Sequence, residues 1–212
     1  MSNVTILEGS PHVPVWKQIL WILAATAANY LLNQLFEEVL RFPLFLDTVF
    51  TIAVTFAFGG IPGLVTAALT TVLTDIIRYK FWGTYLYMFC SFSAVGVTVL
   101  FMRKSLLRMP EFLIRFASLF LLSIVMCFVV SLTGALINMV INALNARPLE
   151  NTAPVDEFTA GLLRSGFSTF AANFAGRLPV NLVDRPLSVF AAYGTVKGLE
   201  RAVRDVKALP AK

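Results

Sequence analysis

The chain has 212 residues, 58% of them apolar and 14% charged, against roughly 25% charged in an ordinary soluble domain. Its mean hydropathy is +0.77. With 19 phenylalanines and one histidine, it has too few polar side chains to coat a soluble fold. A cytosolic globular domain, a disordered tail and a disulfide scaffold are excluded; an all-α integral membrane protein remains.

The net charge of +5 gathers at the ends of apolar runs, where it orients helices in a bilayer rather than binding nucleic acid. Cys90 and Cys127 lie inside apolar runs, as small hydrophobes, and no spacing marks a metal or redox pair.

In chain order, residues 1–15 form a polar leader without a signal-peptide pattern. A crossing takes about 20 mainly apolar residues, and the first candidate runs from Trp16 to Gln34. Pro43 to Ile77 is either one long tilted helix or two short ones. Gly59-Gly60-Ile61-Pro62-Gly63 at its middle is a strong breaker, which favours two helices of about 16 residues each. A fourth span covers Trp82 to Met102. A fifth runs from Phe112 to Asn145, and the last from Leu178 to Leu199. Between those two, Asp156 to Arg177 reads as an amphipathic or half-inserted segment. The expected plan is six transmembrane helices with both termini cytoplasmic, a membrane domain over 16–202, and a cytoplasmic tail over 203–212. Arg103, Lys104, Arg108 and Arg115 after the fourth span, and Lys197 to Lys212 after the last, fit the cytoplasmic side. Five or six spans each place ten of the 17 basic residues inside, so the glycine break, not charge, decides for six.

Hydrogen-bonding side chains fall at the outer ends of these spans. Asn29 and Asn33 share a face of the first. Asp47 opens the second, followed by Thr51. Asp75 and Tyr79 close the third; Trp82 and Tyr85 open the fourth. Asn138 and Asn142 end the fifth, and Asn181, Asp184 and Arg185 begin the last. Polar groups inside spans cost several kcal/mol unless paired, and as a one-sided set they mark a ligand cavity. The bland alternatives are links between helices and, for the aromatics, an interfacial belt. Asp184 and Arg185 point about 100° apart on a helix, so Arg185 is expected to reach Asp47 or Asp75 instead. Pro186 after them suits a first helical turn, which makes Asp184 either a helix cap or the rim of an anion-attracting helix end. On this reading Asp184→Ala is a ligand-binding defect ahead of a folding one. The outer zone shows few free cations, which favours a neutral or cationic heterocycle. Ala24 and Ala28 form a small-xxx-small pair suited to close helix approach, inside this bundle or against a partner.

No Walker motif, HExxH pair or Cys/His metal set is present, and the lone His12 cannot complete a catalytic triad. Catalysis is therefore not expected, and neither a cofactor nor a metal.

PLFLDTVFTIAVTFAFGGIPG, an acidic residue opening a short Thr-rich span closed by a Gly-Pro turn, resembles the substrate-binding components of energy-coupling factor transporters. LPVNLVDRPLSVFAAYG is similar to the last helix of that group. The Ala24/Ala28 face resembles the alanine motif by which those components dock on a shared transmembrane subunit. The resemblance implies six helices, cytoplasmic termini and capture of a vitamin from outside. It also implies delivery by toppling when a coupling subunit with two ATPases engages, and a lid over Leu35 to Phe45. A nickel or cobalt cargo is disfavoured, since the leader carries only His12. Two other readings stand beside it: a ligand-sensing membrane domain, and a scaffold without ligand, against which the one-sided polar zone argues.

Overall fold

A computed structural model describes residues 14–40, 42, 44–79, 82–103, 111–145 and 154–208. Among them the chain is all-helical. The helices are α1 (Val15–Gln34), α2 (Val49–Phe58), α3 (Gly60–Thr74), α4 (Met88–Arg103), α5 (Phe112–Asn145), α6 (Pro154–Arg164) and α7 (Thr169–Ala208). π-helical turns extend α1 over Leu35–Val39 and α3 over Asp75–Tyr79, and a 3-10 turn, Trp82–Tyr87, leads into α4.

Four stretches are long and apolar enough to cross a membrane: Val15–Val39, Gly60–Arg78, Gly83–Arg103 and Phe112–Leu144. α2 and α7 are not among them, for different reasons. α2 has 10 residues, about 15 Å of helix, which is half a bilayer core. Nearly all of it is buried, because α1, α3, α4 and α7 pack around it. α7 is 40 residues long, but Asn181, Asp184 and Arg185 interrupt its apolar run. The outward faces of the long helices carry Leu20, Leu31, Phe112, Phe120 and Phe128, all exposed, as lipid-facing surfaces are.

The break between α2 and α3 comes where the glycine cluster places it, but the halves are unequal: 10 and 15 residues rather than two of about 16. The first helix starts late because residues 44–46 are irregular and 47–48 form a turn before it. Gly59 makes the reversal with φ +94° and ψ −175°, a region open essentially only to glycine. Gly63 then lets α3 lie against α2: a Cβ there would overlap the Thr55 hydroxyl and meet Val95 Cγ1 at 3.3 Å. Gly63→Ala is therefore expected to cost about 1–3 kcal/mol in SDS-unfolding titrations, and adding Thr55→Ala should recover most of it.

The main core lies where α2, α4, α5 and α7 meet, around Ile52, Phe56, Leu122, Met126 and Val189. Phe56 meets the Tyr193 ring edge-on at 6.3 Å. Several buried threonines return their hydroxyl to a carbonyl one turn back, as in Thr55 to Thr51 (2.8 Å) and Thr98 to Ala94 (2.8 Å).

Two expectations for the last span are corrected. The helix does not begin at Leu178 or Asp184; it begins at Thr169 and runs unbroken through Pro179 and Pro186. Asp184 is thus a mid-helix residue, not a cap, and no helix end opens there. α6, the first part of the amphipathic segment, folds back on α7, with Gly176 leaving room for the Thr159 side chain.

Candidate functional site

The polar residues meet at one end of the bundle. They lie at the C-terminal parts of α1, α3 and α5 and the N-terminal parts of α2 and α7, with the 3-10 turn before α4. Alternation of chain direction brings these stretches to the same level. Their hydrogen bonds form two clusters.

The first cluster centres on α2. Asn29, fully buried, donates from Nδ2 to Thr51 Oγ1 (2.9 Å) and Thr70 Oγ1 (3.3 Å). Its Oδ1 accepts the Phe50 backbone N–H at 2.9 Å. That amide belongs to the first turn of α2, where no intrahelical acceptor exists, and Thr48 supplies no side-chain cap. Asn29 thus caps α2 from another helix. Asn33 Nδ2 donates to the Phe45 carbonyl at 3.0 Å. Arg78 bridges the two π-helical turns, reaching Asn33 Oδ1 (3.4 Å), Glu37 and Glu38 (2.8 Å).

On the other side of α2 lies a buried ion pair. Arg185 Nη2 stands 2.7 Å from Asp184 Oδ2, with side chains 4% and 0% exposed. This reverses the expectation that the two neighbours do not meet. The 100° separation applies to Cβ directions, whereas the long arginine stem lets its guanidinium swing back. Arg185 Nη1 also donates to Thr48 Oγ1 (2.7 Å) and Nε to Asn181 Oδ1 (3.3 Å). Asn181 in turn donates to Ser131 Oγ at 2.9 Å. Asp184 Oδ1 accepts the Leu46 N–H at 2.9 Å. Leu46 has φ +42°, a left-handed conformation costly for a leucine, and this bond helps to hold it. The stretch Leu35 to Phe45, expected as a lid, begins with the π-helical turn Leu35–Val39, and its Phe45 carbonyl accepts the Asn33 bond; Arg41 and Pro43 lie outside the described residues.

The second cluster joins the 3-10 turn, α5 and α7. Arg177 Nη2 donates to the Tyr87 hydroxyl (3.1 Å), which donates to Asn138 Oδ1. Asn138 Nδ2 donates to Asn173 Oδ1 (2.8 Å), and Asn173 Nδ2 to the Thr169 carbonyl (2.8 Å). Asp75, 2% exposed, takes a hydrogen bond from Thr84.

The structure thus joins Asn29 to Thr51 and Asn181 to Arg185 and Asp184. Asp47 lies within electrostatic range of that ion pair. Asn138 belongs to the second cluster. Tyr85 is partly exposed, 36%, and takes no part in either cluster's bonds. The side chains of Tyr79 and Trp82 lie outside the described residues. Ala24 is exposed and Ala28 half-buried on α1.

Several polar partners escaped the sequence reading. Ser131 lies seven residues before Asn138, on the same helical face, so its spacing carried a signal. Asn173 and Arg177, four apart, were absorbed into an amphipathic segment. Arg177 also changes the charge balance, because the zone holds a cation that the sequence did not place there.

Some polar atoms remain buried without a hydrogen-bond partner: Gln34 Oε1, Asp47 Oδ1, Asp75 Oδ2, Asn142 Oδ1 and Arg177 Nε among the polar residues of this end, and Thr26 Oγ1 on α1 and Ser188 Oγ on α7. Buried polar atoms are normally satisfied, so such a group at one end of a bundle has the character of a ligand-facing surface. Among the described residues no three His, Cys, Asp or Glu side chains gather to hold a metal. No protein-family model, curated protein or solved structure matches this chain.

Proposed function

We propose that this chain is a substrate-capturing membrane subunit that takes a vitamin-like micronutrient from outside the cell. It passes the molecule inward with a transmembrane coupling subunit and two ATPases. In this reading the chain crosses the cell membrane six times with both termini cytoplasmic. α2 serves as a short crossing enclosed by protein, and α7 crosses with its ion pair turned inward. The polar end of the bundle is the outer mouth, and no bond of the cargo is made or broken.

The observation that carries the reading is the set of unpartnered buried acceptors at that end, Asp47 Oδ1, Asp75 Oδ2 and Asn142 Oδ1. Burying an acceptor without a partner costs about 1–3 kcal/mol. Three on one level of one bundle are better explained by a bound molecule than by helix linkage. The Ala24 face supports the second half of the reading: it is exposed beside Leu20 and Leu23, where a close helix–helix contact is sterically open.

Reconstitution tests it. Proteoliposomes holding the chain with a coupling subunit and its ATPases should accumulate a small molecule only with ATP, read by mass spectrometry of the lumen. Ala24→Trp should leave capture intact and lower uptake roughly tenfold, as a loss of about 1.4 kcal/mol in docking gives. Tight binding without uptake would favour a sensor, and no bound molecule of any kind a scaffold.

A further inference from the structure

Three arginines stand among the polar clusters, and they differ in their counter-charges. Arg78 is paired with Glu37 and Glu38, and Arg185 with Asp184. Arg177 has no carboxylate partner among the described residues; its one hydrogen bond goes to the Tyr87 hydroxyl. The guanidinium lies 5.3 Å from the centre of the Tyr87 ring. Its Nε is buried without an acceptor.

A guanidinium carries five N–H donors and no acceptor. A cation inside a helical membrane bundle is costly unless paired. Here the rest of the cluster cannot supply the pair. Donation runs one way, from Arg177 to Tyr87, Asn138, Asn173 and finally the Thr169 carbonyl. Every oxygen along this path is neutral and already accepts one bond, and Arg177 Nε is left buried without an acceptor. The position is also built: Gly134 on α5 is bare where Arg177 crosses it, and a Cβ there would stand 3.2 Å from Cδ, Nε and Nη1. The fold makes room for a charge that no described side chain neutralises.

We propose that Arg177, oriented by Tyr87, is the subsite for an anionic oxygen group, a carboxylate or phosphate, on the captured molecule. This proposal departs from the expectation of a neutral or cationic cargo, and it rests on the capture reading above. Arginine matches such groups through two parallel N–H···O bonds, and the aromatic face holds the cation side-on. Unpartnered Asn142 Oδ1, one turn beyond Asn138 on α5, offers a neutral acceptor for a donor elsewhere on the same molecule.

The test uses benzoate and its neutral isostere benzamide as probes. The full chain in phosphatidylcholine nanodiscs should give saturation-transfer signals to benzoate and not to benzamide. Arg177→Gln should weaken benzoate binding roughly tenfold or more. Arg177→Lys should retain part of it, which separates loss of the anion site from loss of fold. Equal signals from the two probes in the unaltered chain, or benzoate binding unchanged in Arg177→Gln, would overturn the proposal. Benzoate displaced by added phosphatidylglycerol would also overturn it, by assigning the anion to a lipid headgroup. Failure here with ATP-driven uptake intact removes only the anionic subsite. Selective benzoate binding without uptake removes the transport reading and leaves the subsite.

Discussion

Asp184→Ala should destabilise the bundle by about 3–5 kcal/mol in an SDS-unfolding titration, the cost of leaving one member of a buried ion pair alone. Asp184 is fully buried, and its two oxygens have separate tasks. Oδ2 faces Arg185, and Oδ1 accepts the amide of Leu46. Removing both strands a guanidinium in the interior and releases the left-handed Leu46 turn that leads into α2. The effect is therefore one of folding first, reversing the expectation that ligand binding would suffer ahead of stability. Asp184→Asn keeps an acceptor for Leu46 and removes only the charge, so it should fall between the two. Asp184→Leu combined with Arg185→Met should be closer to wild type than Asp184→Ala, because replacing a buried pair by apolar side chains is often near neutral. It should not reach wild type, since Thr48 and Asn181 also lose their arginine contacts. A double variant no more stable than Asp184→Ala would show that the pair adds little and that the Leu46 bond dominates.

Much of this architecture was legible in the sequence. Apolar run length located α1, α4 and α5, because hydrocarbon admits little except helices. The Gly59–Gly63 cluster located the α2–α3 reversal, because its φ suits glycine alone. Alternating span direction, applied to Asn29, Asp47, Asp75, Asn138 and Asn181, placed these residues at one level. Partner choice was not legible. Arg185 turns back on its neighbour because its long side chain is free to do so, and no residue spacing records that. The start of α7 was hidden because Asn173 and Arg177 look like a solvated face until Tyr87 and Asn138 are seen to take up their hydrogen bonds. The length of α2 was hidden too. A helix enclosed by four others can be shorter than one exposed to lipid, and composition alone does not distinguish enclosure from exposure.

Asn29→Leu should cost about 2–4 kcal/mol, the sum of an unsatisfied buried amide and lost side-chain bonds, a large effect for a residue with no charge. Leucine nearly matches asparagine in size, so the change removes hydrogen bonds with little change in volume. The Phe50 amide would lose its only acceptor at the start of α2, and two threonine hydroxyls would lose the donor that ties α1 to α2 and α3. Those hydroxyls keep a fallback, since a helical threonine bonds a carbonyl one turn back; the amide has none. Most of the loss should therefore trace to Oδ1 rather than Nδ2. Asn29→Asp separates the two, retaining an acceptor for Phe50 while giving up both side-chain donors. It brings a charge into the interior, but one placed against a helix N-terminus, where negative charge is favourable. Asn29→Asp is thus expected to be more stable than Asn29→Leu. If the leucine variant unfolds at wild-type SDS, α2 is held by packing alone. Asn29 would then be released from its structural role and free to act as a ligand contact.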